Sequence, residues 1–344
     1  MTIAAAITVV ATRTGQRWGV ASASRVRGTS YIVRRERPSV PGRVRAGVRD
    51  GVHAGVPDRA RGRAKTRTRA SVAGMRESEY KGPEARLGIT WAEPEPGNLR
   101  WNQPVGEQML DPEGRFATGS LALLVDSGLG SVNHRRRPAG MWTVSTELRV
   151  DLLSTPRAGS TGLDVRTEHL GGDGRCLTTR GDVVDDDDTA LAAALVKSME
   201  LEISWDPDEF DDEPPWPSRL APGRLADVLC VTFAHSADGP GGTRAVEAVV
   251  APEPELANPL GNLHGGVFAA VAELAGAAVF PHEREVSSSS LDVRYIRPIP
   301  LDGPVTVRAE TVHEGRNWGI ARVSSCDERG RVCAMASVTV YGQK

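Results

Sequence analysis

"NPLGNLHGGVFAAVAELAGAAVF", Asn258 to Phe280, decides the fold. A polar, glycine-marked turn runs straight into a helix that is apolar on nearly every side except at Glu273. Such a helix has to be buried all round, and an antiparallel sheet curling about it is the economical way to bury it. The strands follow directly. "SSLDVRYI" from Ser288 alternates as a strand does, and three further candidates lie at Pro304 to Val312, Trp318 to Cys326 and Arg331 to Tyr341. Turn signals "LDG", "HEGRN" and "DERG" punctuate them.

The pattern recurs 147 residues upstream. In "DPEGRFATGSLALLVDSGLG", from Asp111, Pro112 matches Pro259, Gly114 matches Gly261, Gly119 matches Gly266 and Asp126 matches Glu273. "STELRVDLL" from Ser145 then resembles the stretch from Ser288. Strand candidates at Gly162 to His169, Arg175 to Val184 and Ala190 to Leu201 follow, separated by "GGDG" and "DDDD". Each half is therefore a strand or two, a glycine-marked turn, one long apolar helix and about four antiparallel strands. This is a tandem α+β repeat.

Composition agrees with two bodies. The chain has 344 residues, 40% hydrophobic and 25% charged, enough for about two domains of roughly 100 to 200 residues. They are expected at 84–204 and 222–344. The acidic, proline-rich segment 205–221 ("WDPDEFDDEPPWPSRLA") joins them as a solvated linker. The net charge of -2 hides an asymmetry: residues 1–74 carry 16 Lys+Arg against 3 Asp+Glu, the remainder 26 against 41. The head, 1–78, has no sustained apolar period and reads as a disordered extension. Met75 is a plausible true start, a reading preferred to a nucleic-acid-binding arm or a targeting peptide. Apolar runs stop well short of the roughly 20 residues a membrane span needs. Cys176, Cys230, Cys326 and Cys333 show no CxxC spacing and no His partners at ligand intervals, so reduced thiols in a cytoplasm are expected rather than disulfides or a metal site.

The chemistry starts at the helix. A helix N-terminus offers unpaired N–H groups and a partial positive charge, which polarise a carbonyl and stabilise an oxyanion. Gly265 and Gly266 have no Cβ to block a substrate's approach, while Asn258 and His264 would shape the turn and bond the substrate or its surroundings. A helix carboxylate then supplies a general base for water, or a nucleophile. Partial burial tunes its pKa upward. No GxSxG elbow, Walker loop or Rossmann fingerprint competes with this reading.

"NPLGNLHGG", with an acid nine residues after the His, resembles the thioesterase superfamily of the phenylacetate-pathway type, whose fold is the hotdog. The resemblance implies two tandem hotdog domains, each a long central helix wrapped by a curved antiparallel sheet, paired as an intrachain pseudo-dimer. Its active sites are composite, with the turn from one half and the acid from the other. One site would combine Asn258, His264 and Gly265 with Asp126, and Ser145 would help hold the attacking water. The second would set Glu273 and Ser288 against a turn in which Asp111, Ala117 and Thr118 replace Asn, His and Gly; its branched Thr and extra negative charge make it the poorer site. The resemblance also implies an acyl-CoA substrate, no cofactor, no nucleic acid, and a homo-oligomer as a dimer of pseudo-dimers. Gly266 and Arg297, in "RYIRP", are further substrate-binding candidates. A non-catalytic or dehydratase-like hotdog that binds acyl thioesters is the alternative. His134 with Arg135, Arg136 and Arg137 reads as a solvated turn more readily than a CoA phosphate contact. "DDDD", 185–188, reads as a hairpin tip, and Trp91, Trp101, Trp142 and Trp318 as core or interface.

Overall fold

A computed structural model describes residues 82–95, 98–203, 220–236, 243–281 and 286–342. The Arg-rich head with Met75, and the linker apart from Leu220 and Ala221, lie outside them. The short helix α1 (Pro83–Arg86) leads into β1 (Thr90–Glu95) and β2 (Asn98–Pro104). A 3-10 turn at Thr118–Leu121 opens α2 (Ala122–His134), and β3 (Met141–Leu152), β4 (Gly162–Gly172), β5 (Cys176–Asp185) and β6 (Ala190–Glu202) follow. The second half repeats the order with α3 (Leu225–Val228), β7 (Val231–Ser236), β8 (Ala245–Val250), α4 (Gly265–Ala278), β9 (Val286–Tyr295), β10 (Val305–Glu314), β11 (Trp318–Cys326) and β12 (Val332–Gly342).

All twelve strands form one antiparallel sheet in the order β1-β2-β4-β5-β6-β3-β9-β12-β11-β10-β8-β7. Each strand of the first six has its counterpart mirrored in the second six, so the two halves are related by a pseudo-twofold. Its axis can be placed from register. Leu148 pairs with Val293 and Val150 with Leu291, leaving Arg149 opposite Asp292 at the centre. A shift of 143 residues maps each member of these pairs onto its counterpart in the other half, so Ser145 corresponds to Ser288.

The helices are apolar all round because each is covered by its own strands on one side and by the other helix on the other. Leu121 to Val125 and Val267 to Ala272 are completely buried. Two glycines set the helix contact. A Cβ on Gly119 would lie 2.8 Å from the Ala270 carbonyl oxygen, and one on Gly266 would lie 2.7 Å from Leu123 Cα. Leu123 and Ala270 differ by the same 147 positions as the two glycines. Gly266 therefore owes its missing side chain to helix packing, which corrects its assignment as a residue the substrate approaches.

The fold is thus two tandem hotdog units, each a helix wrapped by a six-stranded layer, forming a pseudo-dimer within one chain. Among the described residues, both halves lie in a single compact unit.

Candidate active site

The α4 start and the middle of α2 meet at Asp126. This residue is 7% exposed. Its Oδ1 accepts a 2.6 Å hydrogen bond from Ser145 Oγ, and its Oδ2 lies 3.5 Å from His264 Nδ1. A Cβ on Gly265 would stand 2.9 Å from the same Oδ2. The acid therefore faces the helix start across a gap that only glycine leaves open. His264 is the N-cap of α4, and its Nδ1 accepts the Gly266 N–H at 3.1 Å. That amide is consequently engaged, whereas the Gly265 amide, first in the helix, has no acceptor within it. Tyr295 Oη donates to the Gly265 carbonyl at 2.8 Å and braces the turn. Burial, with the Asp126 charge adding to it, pushes the Tyr295 phenol well above its ordinary pKa, so it stays a donor.

Asn258 sits further back. Its Oδ1 takes the amides of Leu260 (3.0 Å) and Asn262 (3.1 Å), a local Asx turn that lets Gly261 adopt φ +77°. Its side-chain oxygen builds the turn, and the residue also lines the cavity beside Asp126. Asp111 does the same in the first half: Oδ1 accepts from the amides of Glu113 and Arg115, and Oδ2 pairs with Arg115 Nε at 2.7 Å. The charge expected beside a second oxyanion is instead engaged in its own turn.

A cavity of about 630 Å³ opens beside Asp126, His264, Gly265 and Tyr295. Trp91, Trp101 and Trp142 line it; Trp101 and Trp142 are also buried, as their reading as core expects, so their rings serve as core and cavity wall together. Trp91 and Trp101 face each other across the β1–β2 pair with ring centroids 6.4 Å apart, and Trp142 meets the His134 ring edge-on at 4.4 Å. Trp318 is 41% exposed and packs on His313 instead. His134 also lines the cavity, its Nδ1 2.9 Å from Thr143 Oγ1. The neighbouring arginines are engaged: Arg135 pairs with Glu93, Arg136 bonds the Val132 carbonyl, and Arg137 bonds the carbonyls of His134 and Met141. Arg297 is exposed at the cavity with its Nη1 on the Val332 carbonyl. The "DDDD" acids sit at the β5–β6 tip, where Arg157 pairs with Asp185 and Asp187, and Arg166 with Asp188.

The second acid is closed in. Glu273 is 2% exposed, Ser288 4%, and Thr118 fully buried. Thr118 stands where Gly265 stands in the other half, and its hydroxyl donates to the Ser288 carbonyl at 2.8 Å. A side chain thus fills the gap that Gly265 leaves open. Burial drives the Glu273 carboxyl from 4.5 to about 7. Glu273 Oε2 and Ser288 Oγ have no hydrogen-bond partner.

Two residues at the Asp126 site escaped sequence reasoning. Tyr295 lay inside the quoted "RYIRP" without being singled out. Glu84, on the one-turn helix α1, carries no periodic signal at all. It is 3% exposed, its Oε1 accepts from Ser127 Oγ at 2.8 Å and faces His264 Nε2 at 3.4 Å. The positive-φ residues Gly88 and Cys230 end α1 and α3 alike, which aligns Glu84 with Ala226. Hence Glu84, His264, Gly265, Asp126 and Tyr295 have as counterparts Ala226, Ala117, Thr118, Glu273 and Leu152.

Comparison with known proteins follows this geometry. Residues 260–334 match the family model described as the thioesterase superfamily. The 1,4-dihydroxy-2-naphthoyl-CoA hydrolase of Escherichia coli K12 is 24% identical over 124 residues, 35% of this chain and 87% of that protein. Among solved structures, an acyl-CoA thioesterase II, TesB2, from Mycobacterium marinum superposes with a TM-score of 0.54 at 13% identity, covering 76% of this chain and 96% of that one. A TesB protein of Mycobacterium avium subspecies paratuberculosis gives a TM-score of 0.53 at 12% identity, covering 76% and 98%. At such identities the structural likeness establishes the fold. No helix among the described residues is long and apolar enough to cross a membrane, and all four cysteines are free thiols.

Proposed function

We propose that this chain, a double hotdog whose second half is a domain of the thioesterase superfamily, hydrolyses acyl-CoA thioesters at the single composite site around Asp126. One observation carries the reading. A buried carboxylate, an open helix start without a side chain in between, and a substrate-sized cavity coincide at Asp126, whereas Thr118 fills the equivalent gap at Glu273.

The thioester carbonyl would enter between Gly265 and Asp126, its oxygen taking the Gly265 N–H at the positive end of α4. Ser145 holds Oδ1, which leaves Oδ2 to accept a proton from water. The water oxygen bonds to the carbonyl carbon; collapse of the tetrahedral intermediate breaks the C–S bond, and the departing thiolate takes the proton back from Asp126. Direct attack by Oδ2, giving an anhydride that water then opens, uses the same geometry. His264 and Tyr295 hold the helix start in place on either side of the Gly265 peptide. No cofactor enters the scheme. The acyl group would occupy the Trp-lined cavity and the CoA arm would leave past the exposed Arg297. A dimer of pseudo-dimers is the assembly we expect, and the free thiols suit a reducing compartment such as the cytoplasm.

Incubating the purified chain with short-chain, long-chain and aromatic acyl-CoA substrates, with released thiol detected, tests the proposal. Turnover of at least one class is expected. Complete inactivity with retained ligand binding would favour the non-catalytic reading.

A further inference from the structure

We infer that Glu84 is a positioning residue that fixes the tautomer of His264 and thereby keeps the reacting oxygen of Asp126 free. The inference rests on the reading of Asp126 as the acid of a thioesterase site.

His264 Nδ1 has two neighbours with opposite requirements. The Gly266 N–H, at 3.1 Å, needs a lone pair on Nδ1, whereas Asp126 Oδ2, at 3.5 Å, would be met by a proton there. With the proton on Nδ1, the ring would lose its cap on α4 and tie up the oxygen that has to receive the proton from water. With the proton on Nε2, the cap forms and Oδ2 stays open. That second tautomer needs an acceptor beside Nε2, and Glu84 Oε1 stands 3.4 Å away, steadied by the Ser127 hydroxyl. The other oxygen, Oε2, is buried without a partner. A buried carboxylate so incompletely satisfied is costly, and nothing in α1 itself requires an acid. The pseudo-symmetric site around Glu273 supplies an internal control: Ala117 stands in place of His264 and Ala226 in place of Glu84, so histidine and acid are absent together. A carboxylate can only accept a hydrogen bond, so its preference for the Nε2–H form is unambiguous.

Long-range proton–nitrogen correlation spectra of the full chain with 15N-labelled histidine, above the histidine titration range and without substrate, read the tautomer directly, and His264→Asn assigns the signal. The wild type should show His264 protonated on Nε2. In Glu84→Leu and Glu84→Ala, which leave no acceptor beside Nε2, the Nδ1–H fraction should rise, with kcat lowered on the order of tenfold, as for other residues that orient a functional histidine, and KM within about twofold. If Glu84→Ala fails to fold, Glu84→Leu decides alone by the same criterion. A wild-type His264 protonated on Nδ1, or an unchanged tautomer in a folded variant, overturns the inference even where kcat falls. An inactive wild type whose tautomer still shifts on substitution would instead count against the hydrolase reading and leave the positioning role standing.

Discussion

Replacing Glu273 by Gln should stabilise the protein above neutral pH and leave it nearly unchanged in mild acid. Burial raises the folded-state pKa of this carboxyl from 4.5 to about 7, while the unfolded chain retains the ordinary value. Below pH 4.5 both states hold the proton and the group adds no pH dependence. Between 4.5 and about 7 the unfolded chain ionises and the folded one does not, so stability falls as pH rises. Above 7 both are ionised and the loss is constant. The gap of about 2.5 pKa units, at about 1.4 kcal/mol each, amounts to about 3 kcal/mol. Glutamine keeps the shape and never ionises. Urea unfolding of both proteins at several pH values from 4 to 8 should therefore give curves that diverge steadily, the variant gaining about 3 kcal/mol at the top of the range. Equal stability at pH 8, or a less stable variant, would refute the argument that this acid is held against its own solvation.

Three other outcomes follow from the same geometry. Ser145→Ala removes the 2.6 Å donor to Asp126 Oδ1 and should lower kcat about tenfold with unchanged melting, as expected for one hydrogen bond to a charged group; unaltered steady-state kinetics would remove Ser145 from the site. Gly266→Ala places a Cβ 2.7 Å from the Leu123 backbone, which cannot yield easily, and should cost about 1–3 kcal/mol in urea unfolding. An unchanged midpoint there would show that the helices separate without penalty. Glu273→Gln should retain at least about half of the thioesterase activity, measured as thiol release.

Much of the fold was legible in the sequence because its signals are periodic. The apolar stripe all round α4 dictated a wrapped helix, and β11 spans Trp318 to Cys326, as its alternation indicated. The repeated acid and glycines gave the tandem repeat, and the resemblance implied its pairing as a pseudo-dimer. Residues whose role depends on where separate segments meet were less visible. The gap at Gly265 and the packing role of Gly266 look identical in "HGG", since only the neighbours, Asp126 in one case and Leu123 in the other, tell them apart. Trp91 and Trp101 reach the cavity through the placement of the β1–β2 pair against α2, which no local pattern encodes. Glu84 sits on a helix too short for any period, so its approach to His264 from the other half had no signal. Asp111 and Asn258 were legible as a matched pair, and Asn258 as a turn former, but that Asp111 closes the same kind of Asx turn and pairs with Arg115 carried no local signal.

The central claim is that Asp126, opposite Gly265, performs the hydrolysis. Thiol release from an acyl-CoA substrate that the wild type turns over, compared between wild type and Asp126→Asn at matched circular dichroism and melting, tests it most directly. The variant should lose activity by on the order of 100-fold or more, the scale of a removed general base, with the fold intact. A folded Asp126→Asn enzyme that retains near wild-type turnover, with Glu273→Gln inactive instead, would contradict the assignment and place the chemistry at the site that Thr118 closes.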